Sequence, residues 1–329
     1  MDLSIIIVNY NVFSDVITCI QSIYKYLKNI DFEIIVVDNN SIDRSIEELN
    51  DQFAEVKLIL LEENNGFGAA NNAALKSAKG KYFFLVNPDI IFENSSVVDM
   101  FNFIKSNSDI GAIGPVQIKP GKGIEYYYAF FPGLYSRFAQ EFGLYMSAPF
   151  MKSRFSQFWN QNIAKGKPFK VDWVIGSSLL MRREAYNQVG GFDESFFLYE
   201  EETEWQYRMN RSGWISNIYP NANVIHNHHS SSGKLGQIFI HFHEFRSRII
   251  FSAKHDNLIK RFTQKMMTST ALSLRIMINF VKYLFTGNKD LFVKVKVFFK
   301  LFLFNLKFKN KILSDRFDFN GLMLTMGRR

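Results

Sequence analysis

Short apolar runs set between polar clusters organise the N-terminal third of the chain. Residues 4–8, 32–37, 56–61 and 82–86 are rich in branched and aromatic side chains and bounded by polar residues, the pattern of buried strands. Between them, 13–28, 43–52 and 67–79 have helical length and spacing. Strands alternating with helices predict an α/β fold, a mostly parallel sheet with helices on both faces. Ligands of such sheets bind beyond the carboxyl ends of the strands. Three polar clusters fall there: Asn9-Tyr10-Asn11, Asp38-Asn39-Asn40-Ser41 and Asn87-Pro88-Asp89.

The pattern weakens from about 111 to 170. Gly114-Pro115 and Pro120-Gly121 read as turns, 126–131 is an aromatic stretch, and helices are expected around 134–146 and 150–161. A strand-like run at 171–181 is interrupted by Gly176. A helix is expected at 201–211, then short strands at 214–219 and 223–226. The remainder reads as three helices, 237–254, 257–286 and 289–308.

Charge changes the picture in this last part. The net charge of +8 conceals an asymmetry: residues 235–329 carry 18 Lys+Arg and 5 Asp+Glu, and the preceding residues 21 and 26. A mildly acidic body with a basic, Phe-rich tail points to an anionic partner, a membrane surface or nucleic acid. No recognition motif accompanies the charge, which argues against nucleic acid. A spanning helix needs roughly 20 nearly uncharged apolar residues. Arg275 and Lys282 interrupt one candidate, and Lys294, Lys296 and Lys300 another. Residues 292–306 instead suit a helix lying on an anionic bilayer, or one packed on the body or a second subunit. The single cysteine, Cys19, excludes a disulfide framework and a thiolate metal cluster and points to the cytoplasm. Residues 3–8 lack the basic lead-in of a cleavable signal and read as the first strand.

Candidate chemistry sits at the polar clusters. Asp38 can accept hydrogen bonds from a nucleobase N–H or a ribose hydroxyl, although Asp and Asn are also ordinary turn residues there. Asn64-Asn65-Gly66-Phe67-Gly68-Ala69-Ala70-Asn71-Asn72 opens the third helix, where glycines admit close backbone approach and free N–H groups face an anion. Its spacing is neither G-x-G-x-x-G nor G-x-x-x-x-G-K-[ST], which counts against a dinucleotide oxidoreductase and a P-loop enzyme. Asp89, on a turn stiffened by Pro88, either ligates Mg2+ or Mn2+ bridging two phosphates or simply closes the turn. Glu200-Glu201-Glu202 and Glu204 complement a helix N-terminus, and their crowding also suits a general base that must take a proton from a hydroxyl. His226, in Val224-Ile225-His226-Asn227-His228-His229, can complete a metal site as a neutral imidazole. Trp173, followed by Gly176-Ser177, either walls an acceptor ring or belongs to the core.

Six motifs in order resemble those of the family 2 glycosyltransferases, most closely their rhamnosyltransferase-like branch. They are Ser4-Ile5-Ile6-Ile7-Val8-Asn9-Tyr10-Asn11; Ile34-Ile35-Val36-Val37-Asp38-Asn39-Asn40-Ser41; Asn65-Gly66-Phe67-Gly68-Ala69-Ala70-Asn71-Asn72; Asn87-Pro88-Asp89; Gly190-Gly191-Phe192-Asp193-Glu194 with Phe196-Phe197-Leu198-Tyr199; and His226. The resemblance implies a GT-A fold over 1–235, with a nucleotide-sugar half at about 1–115 and an acceptor half at about 116–235. A basic amphipathic helical extension, 236–329, would follow. It implies that Asn9, Tyr10, Asn11, Asp38, Asn65, Gly66, Asn71, Asn87 and Asp89 surround the nucleotide sugar. Asp89 would be the remaining acid of the family's Asp-x-Asp metal motif, with Asn87 in place of the first acid and His226 as second protein ligand to Mg2+ or Mn2+. Glu202 occupies the position of the family's base, usually Asp, with Glu201 as the alternative. Trp173, Gly176, Ser177 and Glu204 would meet the acceptor.

The activity implied is inverting sugar transfer in surface polysaccharide synthesis. The favoured donor is dTDP-rhamnose, with UDP-galactofuranose or another UDP- or dTDP-sugar as alternatives, and the acceptor is a glycan or lipid-linked glycan. The expected location is the inner face of a bacterial plasma membrane, with the C-terminal helices a possible homo-oligomer contact. An inactive nucleotide- or carbohydrate-binding protein is the reading from another class.

Overall fold

The computed structural model describes residues 1–42, 47–127, 129–144, 149–227 and 237–307. Residues 43–46 and 145–146 of two expected helices, Tyr128, His228, His229, Phe308 and the boundary at 235/236 lie outside the described residues.

The four N-terminal apolar runs form β1 (Leu3–Asn9), β2 (Phe32–Asp38), β3 (Lys57–Leu60) and β4 (Tyr82–Val86), all parallel where they pair. The helices among and after them are α1 (Phe13–Tyr26), α2 (Glu47–Gln52), α3 (Phe67–Leu75) and α4 (Ser96–Ser106), the last preceded by a short β5 (Ile90–Ile91). Ile5 and Ile7 of β1 pack in one apolar cluster with α1 and α4, and Ile6 packs in the other with α3. Both faces of the strand are therefore covered, which is why its sequence is a continuous apolar run and not an alternating one.

The second half adds β6 (Ile110–Lys119), β7 (Gly123–Ile124), α5 (Leu134–Glu141), α6 (Pro149–Ala164), β8 (Phe169–Val171), β9 (Ser178–Arg182), α7 (Arg183–Val189), α8 (Glu201–Arg211) and β10 (Ile215–His226). The sheet runs β3-β2-β1-β4-β9-β6-β10-β5, with β7 on β6 and β8 on β10. β9 is wedged antiparallel between β4 and β6, while β6 and β10 are parallel.

The fold departs from the local sequence pattern at three places. Gly114-Pro115, expected as a turn, lies inside β6. A side chain at Gly114 would come within 2.3 Å of Val174 Cγ1, and β9 pairs with β6 only through Ala112 and Ile113, so that ladder asks no N–H of Pro115. The run 171–181 belongs to two strands, the end of β8, which pairs with β10, and β9, which lies between β4 and β6, joined by a loop holding Trp173 and Gly176. The two short strands after 214 are one, β10, with an irregularity between Tyr219 and Asn223.

The chain divides into two compact units, Met1–Phe131 with Pro149–Leu235, and Pro132–Ala148 with Gly236–Arg329. The second holds α5 with α9 (Gln237–His255), α10 (Leu258–Thr286) and α11 (Lys289–Lys307). Helix α5, grouped with the acceptor half on sequence, joins this unit through buried polar side chains. Gln264 Nε2 and Thr268 Oγ1 donate to Glu141 Oε1 at 3.0 and 3.1 Å, and Arg137 pairs with Asp256. Asn257 caps α10 by accepting the Lys260 N–H at 2.9 Å, and Gly287 ends it with φ 64°. Among the described residues no helix is long and apolar enough to cross a membrane.

Candidate active site

β1 and β2 end side by side, with Asn9 in register with Asp38. Asn9 Nδ2 donates to Asp38 Oδ1 at 2.8 Å and to Ser41 Oγ at 3.1 Å. The Ser41 backbone N–H donates to Asp38 Oδ2 at 3.1 Å. Asn11, at φ 59°, donates its N–H to Ser41 Oγ at 3.0 Å and accepts from the Ile42 N–H at 2.7 Å. Asp38 thus closes the turn, buried at the lip of the sheet, and Tyr10 lies half-buried between the two asparagines.

Asn39 carries this cluster to the start of α3, donating to Asn64 Oδ1 at 2.9 Å, which also accepts the Gly66 N–H at 3.0 Å. Asn65 is half-buried beside it. Gly66 has φ 90°, and a Cβ there would sit 2.1 Å from the carbonyl oxygen of Phe197, the group that accepts the Phe67 N–H at 3.0 Å. Gly66→Ala is therefore expected to cost roughly 1–3 kcal/mol for the φ alone, and more for displacing the 197 backbone. Thermal unfolding should show the loss; an unchanged Tm would refute the packing.

Asn71 donates to Phe67 O within its own helix at 2.9 Å. Its neighbour Asn72, given no role on sequence, ties α3 to the later turn. It donates to Phe192 O at 2.8 Å and Glu194 Oε1 at 3.0 Å, and accepts the Phe192 N–H at 2.9 Å.

Past β4, the Asn87 N–H donates to Ser177 O at 2.8 Å, and the Asn227 N–H donates to Asp89 O at 3.0 Å. The second bond, with the pairing of His226 and Ile90 between β10 and β5, brings Asp89 and His226 together, His226 Nε2 lying 3.4 Å from Asp89 Oδ1. Both Asp89 carboxylate oxygens are buried, and the only partner of either among the described residues is this imidazole. The other ring nitrogen of His226, Nδ1, lies 2.8 Å from Glu125 Oε2. Burial opposes a charge on this ring, but the carboxylates of Asp89 and Glu125 outweigh it and push His226 up to about 9. Glu125 has no role in any of the six motifs; it follows β7, whose hairpin only the fold brings to His226. Among the described residues no group of three or more His, Cys, Asp or Glu is arranged to hold a metal by itself. Asp89 and His226 would be a two-ligand start, the cation replacing the imidazolium proton that now faces Asp89 and leaving other positions to phosphate oxygens or water.

Tyr199 and Glu200 have φ 66° and 68°, and this left-handed pair turns the chain into α8. Glu201 and Glu202 then diverge. Glu201 is buried with its Cβ 3.6 Å from where a Gly68 side chain would stand, on the α3 side. Glu202 faces the loop between β8 and β9, where Oε1 accepts the Gly176 N–H at 3.4 Å and Oε2 is buried with no donor. Gln206 holds that loop against α8, accepting the Val174 N–H at 2.8 Å and donating to Val174 O at 2.7 Å. Trp173 donates its indole N–H to Phe130 O at 3.1 Å and packs 5.3 Å from the Tyr127 ring. Ser177 Oγ is bonded to Gln117. Glu204, grouped with the acceptor residues on sequence, is instead engaged by the fork of Arg208, which also donates to Gly191 O. It braces the Gly190-Gly191 turn because a buried carboxylate needs a paired cation.

Burial raises the Glu201 carboxyl well above its ordinary range, and the charge of Glu202 adds to this. Burial also raises Glu202, held back in part by the N–H groups of Glu202, Gly176 and Thr203. A carboxyl raised in the folded state keeps its proton while the unfolded chain has lost it, so stability falls as pH rises through that window. Glu201→Gln is therefore expected to leave Tm nearly unchanged in acid and to raise it above neutrality; an equal effect at both ends would contradict a buried carboxyl that keeps its proton in the folded chain.

The family model described as Glycosyl transferase family 2 matches residues 4–190. The chain belongs to glycosyltransferase family 2. This family 2 glycosyltransferase is 26% identical over 235 residues to an N-acetylglucosaminyl-diphospho-decaprenol L-rhamnosyltransferase of Mycobacterium tuberculosis, covering 68% of this chain and 75% of that one. Its structure is similar to the mannosyltransferase PcManGT from Pyrobaculum calidifontis, solved with GDP-Man and Mn2+ (TM-score 0.53, 14% identity, 93% of this chain and 87% of that one). It is also similar to GalNAc-T7, solved with UDP, GalNAc and Mn2+ (TM-score 0.53, 17% identity, 69% of this chain, but only 44% of that one). At such identities the likeness is one of fold, GT-A. The glycosyltransferase therefore carries its polar clusters at the carboxyl edge of the sheet, where the fold class binds its ligands.

Proposed function

We propose that this enzyme is an inverting, metal-dependent transferase moving a sugar, rhamnose by preference, from a dTDP- or UDP-sugar to a lipid-linked glycan. The mycobacterial relative, a rhamnosyltransferase that its name places on a diphospho-decaprenol-linked N-acetylglucosamine, supports the donor and acceptor class. The observation that supports the mechanism is the placement of the Glu202 carboxylate at the Gly176 loop, where Oε1 accepts the Gly176 N–H and Oε2 has no donor. Asn9, Asp38 and the start of α3 hold the nucleotide, and Asp89 with His226 would hold Mg2+ or Mn2+. When bound, the ion neutralises charge on the diphosphate leaving group. Glu202 accepts the proton of the acceptor hydroxyl as its oxygen bonds to the anomeric carbon and the diphosphate leaves from the opposite face. One displacement inverts the centre and needs one carboxylate. Trp173 walls the acceptor, and the reaction takes place at the cytoplasmic face of an anionic membrane.

A screen of dTDP-rhamnose, UDP-galactofuranose, UDP-glucose and UDP-N-acetylglucosamine, read as acceptor-dependent release of nucleotide, decides the donor. The expected result is release from dTDP-rhamnose well above the others. Turnover confined to a UDP-hexose would replace the sugar and keep the mechanism.

A further inference from the structure

The outward face of α10 is apolar along nearly its whole length. Ile259 (77% exposed), Phe262 (67%), Met266 (52%), Met277 (56%), Phe280 (43%) and Leu284 (65%) stand in one stripe at helical spacing. Thr270 and Ser273, both exposed, fill the middle. The opposite side of the helix buries Gln264, Thr268, Ala271 and Leu272. The stripe is about 38 Å long at 1.5 Å per residue, carries no charged side chain, and belongs to a helix without a single Asp or Glu.

The Phe-rich helix α11, which the sequence pattern put forward as the surface helix, is partly spent on packing. It folds back along α10, with Tyr283 and Phe292 stacked at 5.0 Å and Asn305 Nδ2 donating to Lys265 O at 3.0 Å, and it buries Val297, Phe298 and Leu301. The cations remain outside: Lys260, Lys282, Lys289, Lys296 and Lys300 are exposed along this hairpin. Residues 237–307 hold 13 Lys+Arg against three acidic residues.

We propose that the α10 stripe is the membrane-contact face of this enzyme. The helix lies in the plane of an anionic bilayer, its apolar side chains at the acyl boundary and the surrounding lysines at the headgroup phosphates. A second copy is the poorer occupant, because a self-complementary contact would bring the same cations together. The placement rests on the reading of a lipid-linked acceptor only for its purpose, and vesicle binding tests it without turnover.

The full chain is floated with vesicles of phosphatidylcholine alone or mixed with phosphatidylglycerol. It is compared with Phe262→Ser/Met266→Ser/Met277→Ser/Phe280→Ser and with Phe299→Ser on α11. Circular dichroism and donor-nucleotide binding confirm that each variant is folded. The expected result is salt-sensitive binding to the anionic vesicles alone, weakened more than about tenfold in the α10 variant and little changed by Phe299→Ser. Equal binding of the α10 variant and the wild-type chain overturns the face, and so does a wild-type chain that ignores anionic vesicles. A dimer that the α10 variant splits, with no change in flotation, assigns the stripe to a second copy. Failure to use a lipid-linked acceptor with vesicle binding intact sinks the acceptor reading and leaves the face standing.

Discussion

Glu202→Gln lowers the transfer rate by about 10²–10⁴-fold, the contribution expected of a positioned general base, while donor-nucleotide affinity stays unchanged. The amide keeps the size of the side chain and its contact with the Gly176 N–H but has no lone pair basic enough to take the acceptor proton. Glu201→Gln, facing Gly68 instead, keeps most of its turnover. The raised carboxyl of Glu202 adds a pH signature: kcat in the wild-type enzyme climbs as that carboxyl ionises, with an acid limb displaced above the ordinary carboxylate range. Full activity in Glu202→Gln together with a dead Glu201→Gln would transfer the role of base to Glu201.

The second large effect is loss of the metal. Treatment with EDTA abolishes transfer, and Asp89→Asn lowers it by roughly 10²–10³-fold, the range seen when one electrostatic stabiliser of a transition state is removed. Asn retains the size of Asp but offers a cation no charge. Titration of Mn2+ in the presence of UDP or dTDP, followed by the free-ion signal, separates weakened ion binding from misfolding. Full turnover in EDTA would remove the ion from the mechanism and leave Asp89 and His226 as a buried ion pair.

The motifs at the ends of β1, β2 and β4 were legible because each follows a doubly covered strand, whose apolar run stops where the ligand edge begins. The helix at 201–211 and the three C-terminal helices were equally plain from their spacing. β6 was hidden, since Gly114-Pro115 signals a turn to any local reading and is tolerated only where Val174 and the end of β9 stand. Glu125, Asn72 and Gln206 were hidden for a related reason. Their partners are 101, 120 and 32 positions away, and even for Asn72, which lies within a motif, the sequence does not say what it holds.

The free carboxylate oxygen of Glu202 leads to the same division. Sequence alone determined the family pattern, the strands and helices that bear it, and the short list of acids that can do its chemistry, because each depends on residue type and spacing along the chain. Tertiary structure decided where each acid sits. Glu204 is bound to Arg208, Glu201 is turned onto Gly68, Glu202 is left facing a loop, and Glu125 is brought to His226. It likewise decided that α10, with its uncharged outer stripe, carries the free apolar face while α11 is used to pack. Those outcomes depend on which elements meet across the sheet and the helical unit, and contact between distant segments is the one quantity that local pattern does not encode.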